Sequence, residues 1–331
     1  MNYPIIDLHS DLLSYLQEGK GRTPYDPASR GSFSQLKAGG VKLQALALFS
    51  HFRPGCTQIV REQLKLLKAL TIQYPTECAL YHPTMPSPNI QLIPAFEGGA
   101  GFSEESEPIA QSLARLEQIQ EEFSHILYIG MTWDGENRFG GGVGFDCGLK
   151  EDGKRLLDWM AGKNIAIDFS HTSDSLAEGI LTYIDQETLS IPVLASHSNF
   201  RAITDLPRNM PDWLAQELIR RKGVMGINLF APFIRKNDPN ALFRHIEYGL
   251  SLGAHDALAF GADFFCEADF PSLKKYQTDT AFFPEYPDAG CYGSILNQCA
   301  SRLNLSEEQL HKIAHRNAER FFAGCFSTLS I

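Results

Sequence analysis

The sequence of 331 residues predicts an α/β fold, a single (β/α)8 barrel spanning residues 1–331 as one domain. Three observations predict it. The length suffices, since such barrels run to roughly 250 residues and more with insertions. Short apolar runs bounded by turn residues recur about every 25 to 45 residues, with helical patterns between most of them. Acids and histidines stand where those runs end, on the face where a parallel barrel keeps its active site.

The first three runs are Tyr3 to Leu8, Lys42 to Phe49 and Gln91 to Phe96. A helix is expected over Thr57 to Gln73 before the third, and another over Pro108 to Phe123 after it. The fourth and fifth runs, Ile126 to Thr132 and Asn164 to Phe169, flank a helix over Glu151 to Ala161. Ser173 to Ile184 follows as a helix, then the sixth run Pro192 to Ser196. Helices over Asp212 to Arg221 and Pro239 to Leu252 bracket the seventh run, Val224 to Leu229. The eighth, Ala257 to Ala262, precedes helices over Tyr292 to Arg302 and Ser306 to Phe322. Ser306 with Gln309 three residues on is a capping-box spacing, which fixes the last helix start. Two segments break the rhythm: Pro75 to Pro88, read as a linker, and Phe264 to Gly290, read as a loop over the barrel mouth.

Composition narrows the partners. Thirty-nine acidic against 29 basic residues give a formal charge of -10, which repels nucleic acid and anionic membrane surfaces and leaves small molecules as the expected partners. Seven cysteines without a CxxC pair argue against a disulfide framework or a four-thiolate zinc site. The opening MNYPIIDLHSD lacks the features of a secretory signal, and no apolar stretch approaches the ~20 residues of a membrane span. A cytoplasmic protein with reduced thiols is the expectation.

The strand ends carry the chemistry. Run one ends in Asp7-Leu8-His9-Ser10-Asp11, run three in Phe96-Glu97-Gly98-Gly99, run five in Asp168-Phe169-Ser170-His171, run six in Ala195-Ser196-His197-Ser198 and run eight in Gly261-Ala262-Asp263. His9 and Asp11, two apart in extended chain, project to one side and suit chelation of one cation. Glu97 offers two oxygens to bridge a pair, and His171 with His197 supplies imidazoles to a second ion; zinc accepts this mixture. Two such ions share a hydroxide and polarise a carbonyl, with Asp263 outside the ligand set to carry the proton. The competing roles are ordinary. A lone histidine is usually a satisfied core or edge residue, and a strand-terminal Asp11 or Asp263 often caps the next helix.

Other candidates are weaker. His311 and His315 share a helical face, but Lys312 follows His311 and the H-E-x-x-H base is absent, so a helix-surface pair is expected. His51 closes the second run with no partner at matching spacing. Gly140 to Gly144 lacks the G-x-G-x-x-G spacing, and neither a P-loop nor G-x-S-x-G occurs.

The strand-end strings, with Leu36-Lys37-Ala38-Gly39-Gly40-Val41, Arg208-Asn209-Met210-Pro211-Asp212 and Asn317-Ala318-Glu319-Arg320-Phe321-Phe322, resemble the membrane (renal-type) dipeptidase family of amidohydrolase-like metallo-barrels, nearly along the whole chain. The resemblance implies a binuclear zinc site with His9 and Asp11 on one ion, Glu97 bridging, and His171 and His197 on the other. It gives Asp263 the proton transfer and Arg208 the substrate's terminal carboxylate, for which a planar guanidinium is apt. It further implies hydrolysis of dipeptides, often with a D-residue at the C-terminal position, and a homodimer. Two substrate-facing positions depart from the pattern: Trp133 stands where the family carries a His, and Phe230 where it carries a Tyr. An indole donates one hydrogen bond but accepts no proton. The expected function is therefore a zinc dipeptidase. The alternatives are a related hydrolase of another amide, N-acyl amino acid or lactone, and a metal-binding barrel without turnover.

Overall fold

Apolar strands that must be covered on both faces close into a barrel when helices follow them on the outside. A computed structural model describes residues 3–84, 87–270, 276, 278 and 280–326. The strands are β1 (Ile5–Ser10), β2 (Val41–Phe49), β3 (Cys78–Leu80), β4 (Ile90–Glu97), β5 (Tyr128–Gly130), β6 (Ala166–Asp168), β7 (Val193–Ala195), β8 (Val224–Ile227) and β9 (Leu258–Phe260). All pairings are parallel. β1 joins β2, β2 joins β4, and the ladder runs from β4 through β9 back to β1, which makes a closed eight-stranded TIM barrel. β3 is additional and pairs with the first half of β4.

The helices are α1 (Leu12–Glu18), α2 (Phe33–Ala38), α3 (Cys56–Gln73), α4 (Ile109–Phe123), α5 (Glu151–Met160), α6 (Asp174–Gln186), α7 (Asp212–Arg220), α8 (Ala231–Ile234), α9 (Ala241–Ser251), α10 (Tyr292–Leu303), α11 (Glu307–His311) and α12 (Asn317–Phe326). Helical spacing explains their seating: α3 buries Val60, Leu64 and Leu67 on one face against the strands. A second cluster fills the barrel interior, where Ile6, Leu8, Leu43, Ala45, Ile93 and Tyr128 meet Phe321 and Phe322 of α12. α12 thereby plugs the barrel end at which the strands begin. At the other end the strands crowd together, and a Cβ at Gly226 or Gly261 would collide with the carbonyl oxygen of Ser196.

Several expectations change. The segment from Pro75 to Pro88 is not only a linker, because Cys78–Leu80 adds a strand at the edge of β4; residues 85–86 of that stretch lie outside the described residues. α1 and α2 fill the long connection after β1, where no helix was expected. The last helix starts on the predicted capping box, with Ser306 and Gln309 reciprocally bonded, but contains a π turn over Lys312–Arg316. His311, just before this turn, and His315, within it, form a partly buried pair 3.2 Å apart. Within the expected mouth loop, Phe265, Cys266, Asp269, Phe270 and Tyr276 border the site cavity, while residues 271–275, 277 and 279 lie outside the described residues. All seven cysteines are free thiols.

Candidate metal centre

Five strands deliver the site. Strict alternation along β1 would send His9 outward with Asp7, which instead accepts from the Tyr292 hydroxyl of α10 at 2.5 Å. A register irregularity between Asp7 and Ser10 turns His9 into the barrel. Its ring then stacks on His197 with centroids 3.7 Å apart. Glu97 ends β4, His171 follows β6, His197 follows β7 and Asp263 follows β9.

The donors converge. His9 Nε2 lies 3.5 Å from Glu97 Oε2, 3.6 Å from Asp263 Oδ1 and 4.0 Å from Asp11 Oδ2. His171 Nε2 is 2.9 Å from Glu97 Oε1 and 3.0 Å from His197 Nε2, and His197 Nε2 is 3.6 Å from the same Glu97 oxygen. One Glu97 oxygen thus faces His9 and the other faces the pair His171 and His197. Asp11 occupies the N-cap position of α1 but its side chain caps nothing, so the ordinary role for that carboxylate is absent. Asp263 shares the group formed by His9 and Asp11, within reach of a cation held there. His171 and Asp263 both adopt left-handed backbone, at φ 68° and 63°, a conformation that costs about 1–3 kcal/mol and gathers at functional sites.

The far sides of the three rings fix their near sides. Tyr128 donates its hydroxyl proton to the Leu8 carbonyl at 3.2 Å, so at 2.7 Å it accepts from His9 Nδ1. Ser196 donates to Asp168 at 2.5 Å and accepts from His197 Nδ1 at 2.6 Å. His171 Nδ1 lies 3.1 Å from Asp134 Oδ1. Each ring thus engages Nδ1 on its far side and turns Nε2 inward, the orientation a metal ligand needs.

Electrostatics point the same way. Burial opposes a charge on His9, but Glu97, Asp263 and Asp11 outweigh it and push the imidazolium up to about 10. Burial likewise opposes ionisation of Glu97, yet His9 and the bonds from His171 and His197 hold it well below the usual range. Burial, then the charge of Glu97, pushes Asp11 up. Burial is also the main cause raising Asp263, with His9 opposing it and Glu97 adding to it. His197 is driven down by burial and by its cationic neighbours. A buried group of three carboxylates calls for positive charge. His9 Nε2 is buried without a hydrogen-bond partner, aimed at that group, and the mixed nitrogen and oxygen donors fit a divalent cation.

The remaining expected residues take distinct places. Trp133 and Phe230 line the cavity beside the cluster. Trp133 packs at 4.9 Å on His51 and 5.8 Å from His171. Arg208 is not among the residues that line the cavity; it is 6% exposed beside His171, with Nη2 3.2 Å from the inward-facing His171 Nε2 and 3.0 Å from the His197 carbonyl. Nη1 donates to Ser198 at 3.0 Å, while the buried Nε has no partner. Sequence reasoning missed Tyr128, Asp134, Ser196 and Asn228. Asn228 follows β8, so the strand-end rule could have found it; it donates to Asp263 Oδ2 at 2.8 Å.

Comparisons with known proteins address the family and the fold. The sequence profile of the membrane dipeptidase family (peptidase family M19) matches residues 1–325. An uncharacterised protein encoded in the pqqA 5′ region of Klebsiella pneumoniae is 26% identical over 190 residues, covering 53% of this chain and 65% of that protein. The aligned stretches span less than two thirds of the curated relatives' own lengths. Among solved structures, dipeptidase AC superposes with a TM-score of 0.77 at 19% identity, over 99% of this chain and 100% of that one. A metallopeptidase from Rhodobacter sphaeroides, solved with a phosphinate mimic of the dipeptide L-Ala-D-Ala, superposes with a TM-score of 0.77 at 17% identity, over 98% and 100% of the two chains. With a family match along almost its whole length and a barrel that brings acids and histidines together at its strand ends, the chain belongs to the membrane dipeptidase family.

Proposed function

We propose that the protein hydrolyses the peptide bond of dipeptides with a free C-terminal carboxylate, using two divalent cations, zinc in the first instance. His9 and Asp11 hold one ion, Glu97 bridges, and His171 and His197 hold the other. When bound, such a pair supplies Lewis acidity to the scissile carbonyl and lowers the pKa of an attacking water. Asp263, oriented by Asn228, takes the proton from the water and returns it to the leaving amine. Trp133 and Phe230 contact the substrate from the cavity wall.

The observation that carries the reading is Arg208. A buried guanidinium that forms no ion pair among the described residues is costly unless an anion completes it. In this reading a substrate carboxylate completes it, reaching past the cavity wall to the unpartnered Nε beside His171. A second reading, hydrolysis of N-acyl amino acids, draws on Trp133, which lines the cavity and accepts no proton.

The test compares a dipeptide with its C-terminal amide in the wild type and in Arg208→Ala, at equal metal content. Losing one partner of a desolvated charge pair should cost about 2–5 kcal/mol, ~30-fold to several thousandfold in kcat/KM, on the acid and far less on the amide. Equal losses on both would make Arg208 structural and remove the support for the carboxylate.

A further inference from the structure

The cavity beside the donor cluster has two unlike walls. Next to Asp11 it is mixed, with Ser14, Tyr15 and Glu18 of α1. Next to Asp263 it is aromatic, built from Phe230, Phe233, Phe265, Phe270 and Tyr276. Phe230 is the hub of that wall, its ring centroid 4.7 Å from Phe233, 5.3 Å from Tyr276, 5.6 Å from Phe265 and 6.3 Å from Phe270. Its backbone is tied to the reacting centre, because the Phe230 amide donates to Asn228 Oδ1 at 2.7 Å and Asn228 in turn donates to Asp263. The Arg208 guanidinium carbon lies 5.1 Å from the Phe233 ring centroid, on this side of the cavity.

We infer that the aromatic wall receives the side chain of the residue bearing the free carboxylate, and that the protein selects dipeptides whose C-terminal residue is large and apolar. The inference rests on the dipeptidase reading. Covalent geometry carries it. The carboxylate carbon and Cβ are bonded to the same Cα, so they lie about 2.5 Å apart. A carboxylate held by Arg208 thus keeps the Cβ of the same residue near the ring that packs on Arg208, Phe233, and near Phe230 packed on it. Rings of this kind hold apolar bodies by burial and by edge-to-face contact. Among the described residues no Lys or Arg lines the cavity, so an acidic side chain meets no counter-charge from them. The nearby Arg22 is already bound through both terminal nitrogens to Asp269, at 2.5 and 2.6 Å. The N-terminal side chain of a dipeptide, on the other side of the scissile bond, points to the mixed wall and gains less from apolar bulk.

The alternative is that these rings only pack the segment after β9 onto the barrel. A substrate panel separates the two. Zinc-loaded protein is assayed on Ala-Ala, Ala-Leu, Ala-Phe and Ala-Asp, and on the mirrored Leu-Ala and Phe-Ala, with kcat/KM expressed as a ratio to Ala-Ala within each protein so that folded fraction and metal loading cancel. The expected result is Ala-Leu and Ala-Phe roughly tenfold or more above Ala-Ala. Ala-Asp should fall below it, and the mirrored pair should differ from Ala-Ala by much less. Phe270→Ala should compress the Ala-Phe ratio several-fold; Phe230→Leu, a smaller change in volume, provides the same comparison if the first variant does not fold. Equal ratios for the two orientations, or an Ala-Phe ratio untouched in the folded variants, would overturn the inference while leaving the dipeptidase reading intact. Failure of zinc-loaded wild type to cleave any of the six would overturn both.

Discussion

Asp11 stands where a helix cap belongs and caps nothing, while Asp263 and His171 sit in left-handed backbone that their neighbours must hold in place. These particulars mark the carboxylates and imidazoles proposed for the site, and only some were legible in the sequence. His9, Glu97, His171, His197 and Asp263 each follow an apolar run, so position alone exposed them. Tyr128, Ser196 and Asp134 are common residue types whose roles depend on register between strands far apart in sequence, which no local pattern encodes. Burial of Arg208 beside His171, rather than in the cavity wall, was equally invisible. Asp263 belongs with His9 and Asp11 to a group that could hold a cation, so ligand and proton carrier are distinguished by substitution. As a proton carrier, Asp263→Asn should keep both ions by elemental analysis and lose rate by ~100-fold or more. Loss of one ion together with the rate would make Asp263 a ligand instead.

At the scale of elements, the eight strands and most outer helices were legible because burial on both faces leaves long apolar runs. β3 was hidden in a Pro-rich stretch, since three residues at a sheet edge carry no periodicity. α1 and α2, of 7 and 6 residues, are under two turns and too short for an amphipathic pattern. α2 nevertheless announces itself through the capping box of Ser32 and Gln35, the same signal that located the last helix. His245 of α9 shows how such pieces are pinned together: the Phe200 amide donates to its Nδ1 at 3.2 Å, and Nε2 lies 2.8 Å from the Ile234 carbonyl ending α8. Burial lowers its pKa to about 4, against 6.5 in the unfolded chain. Between those values the unfolded chain binds the extra proton, so the stabilisation is complete above pH 6.5 and is lost as pH falls toward 4. The full shift is worth about 3 kcal/mol, of order. Urea midpoints at pH 7 and pH 4.5 should therefore differ more in the wild type than in His245→Gln at equal metal content; equal differences would remove His245 from the acid lability.

For the whole molecule, the barrel has gathered negative charge at one end of an already acidic chain, formally -10. Asp11, Glu97 and Asp263 meet around three histidines whose outer nitrogens are all fixed. Among the described residues no helix is long and apolar enough to cross a membrane, and the aromatic half of the cavity faces the site rather than an outer surface. Bound cations would offset the carboxylates and would couple the folded state to metal content. The central claim is that two cations in this cluster cleave a dipeptide. The most direct measurement is zinc titration into metal-free protein while hydrolysis of Ala-Phe is followed. The account predicts no turnover without metal and a rise that breaks at two equivalents per chain, reproduced at lower occupancy in Glu97→Gln. Full turnover in the metal-free protein, or none at two bound equivalents, would contradict it.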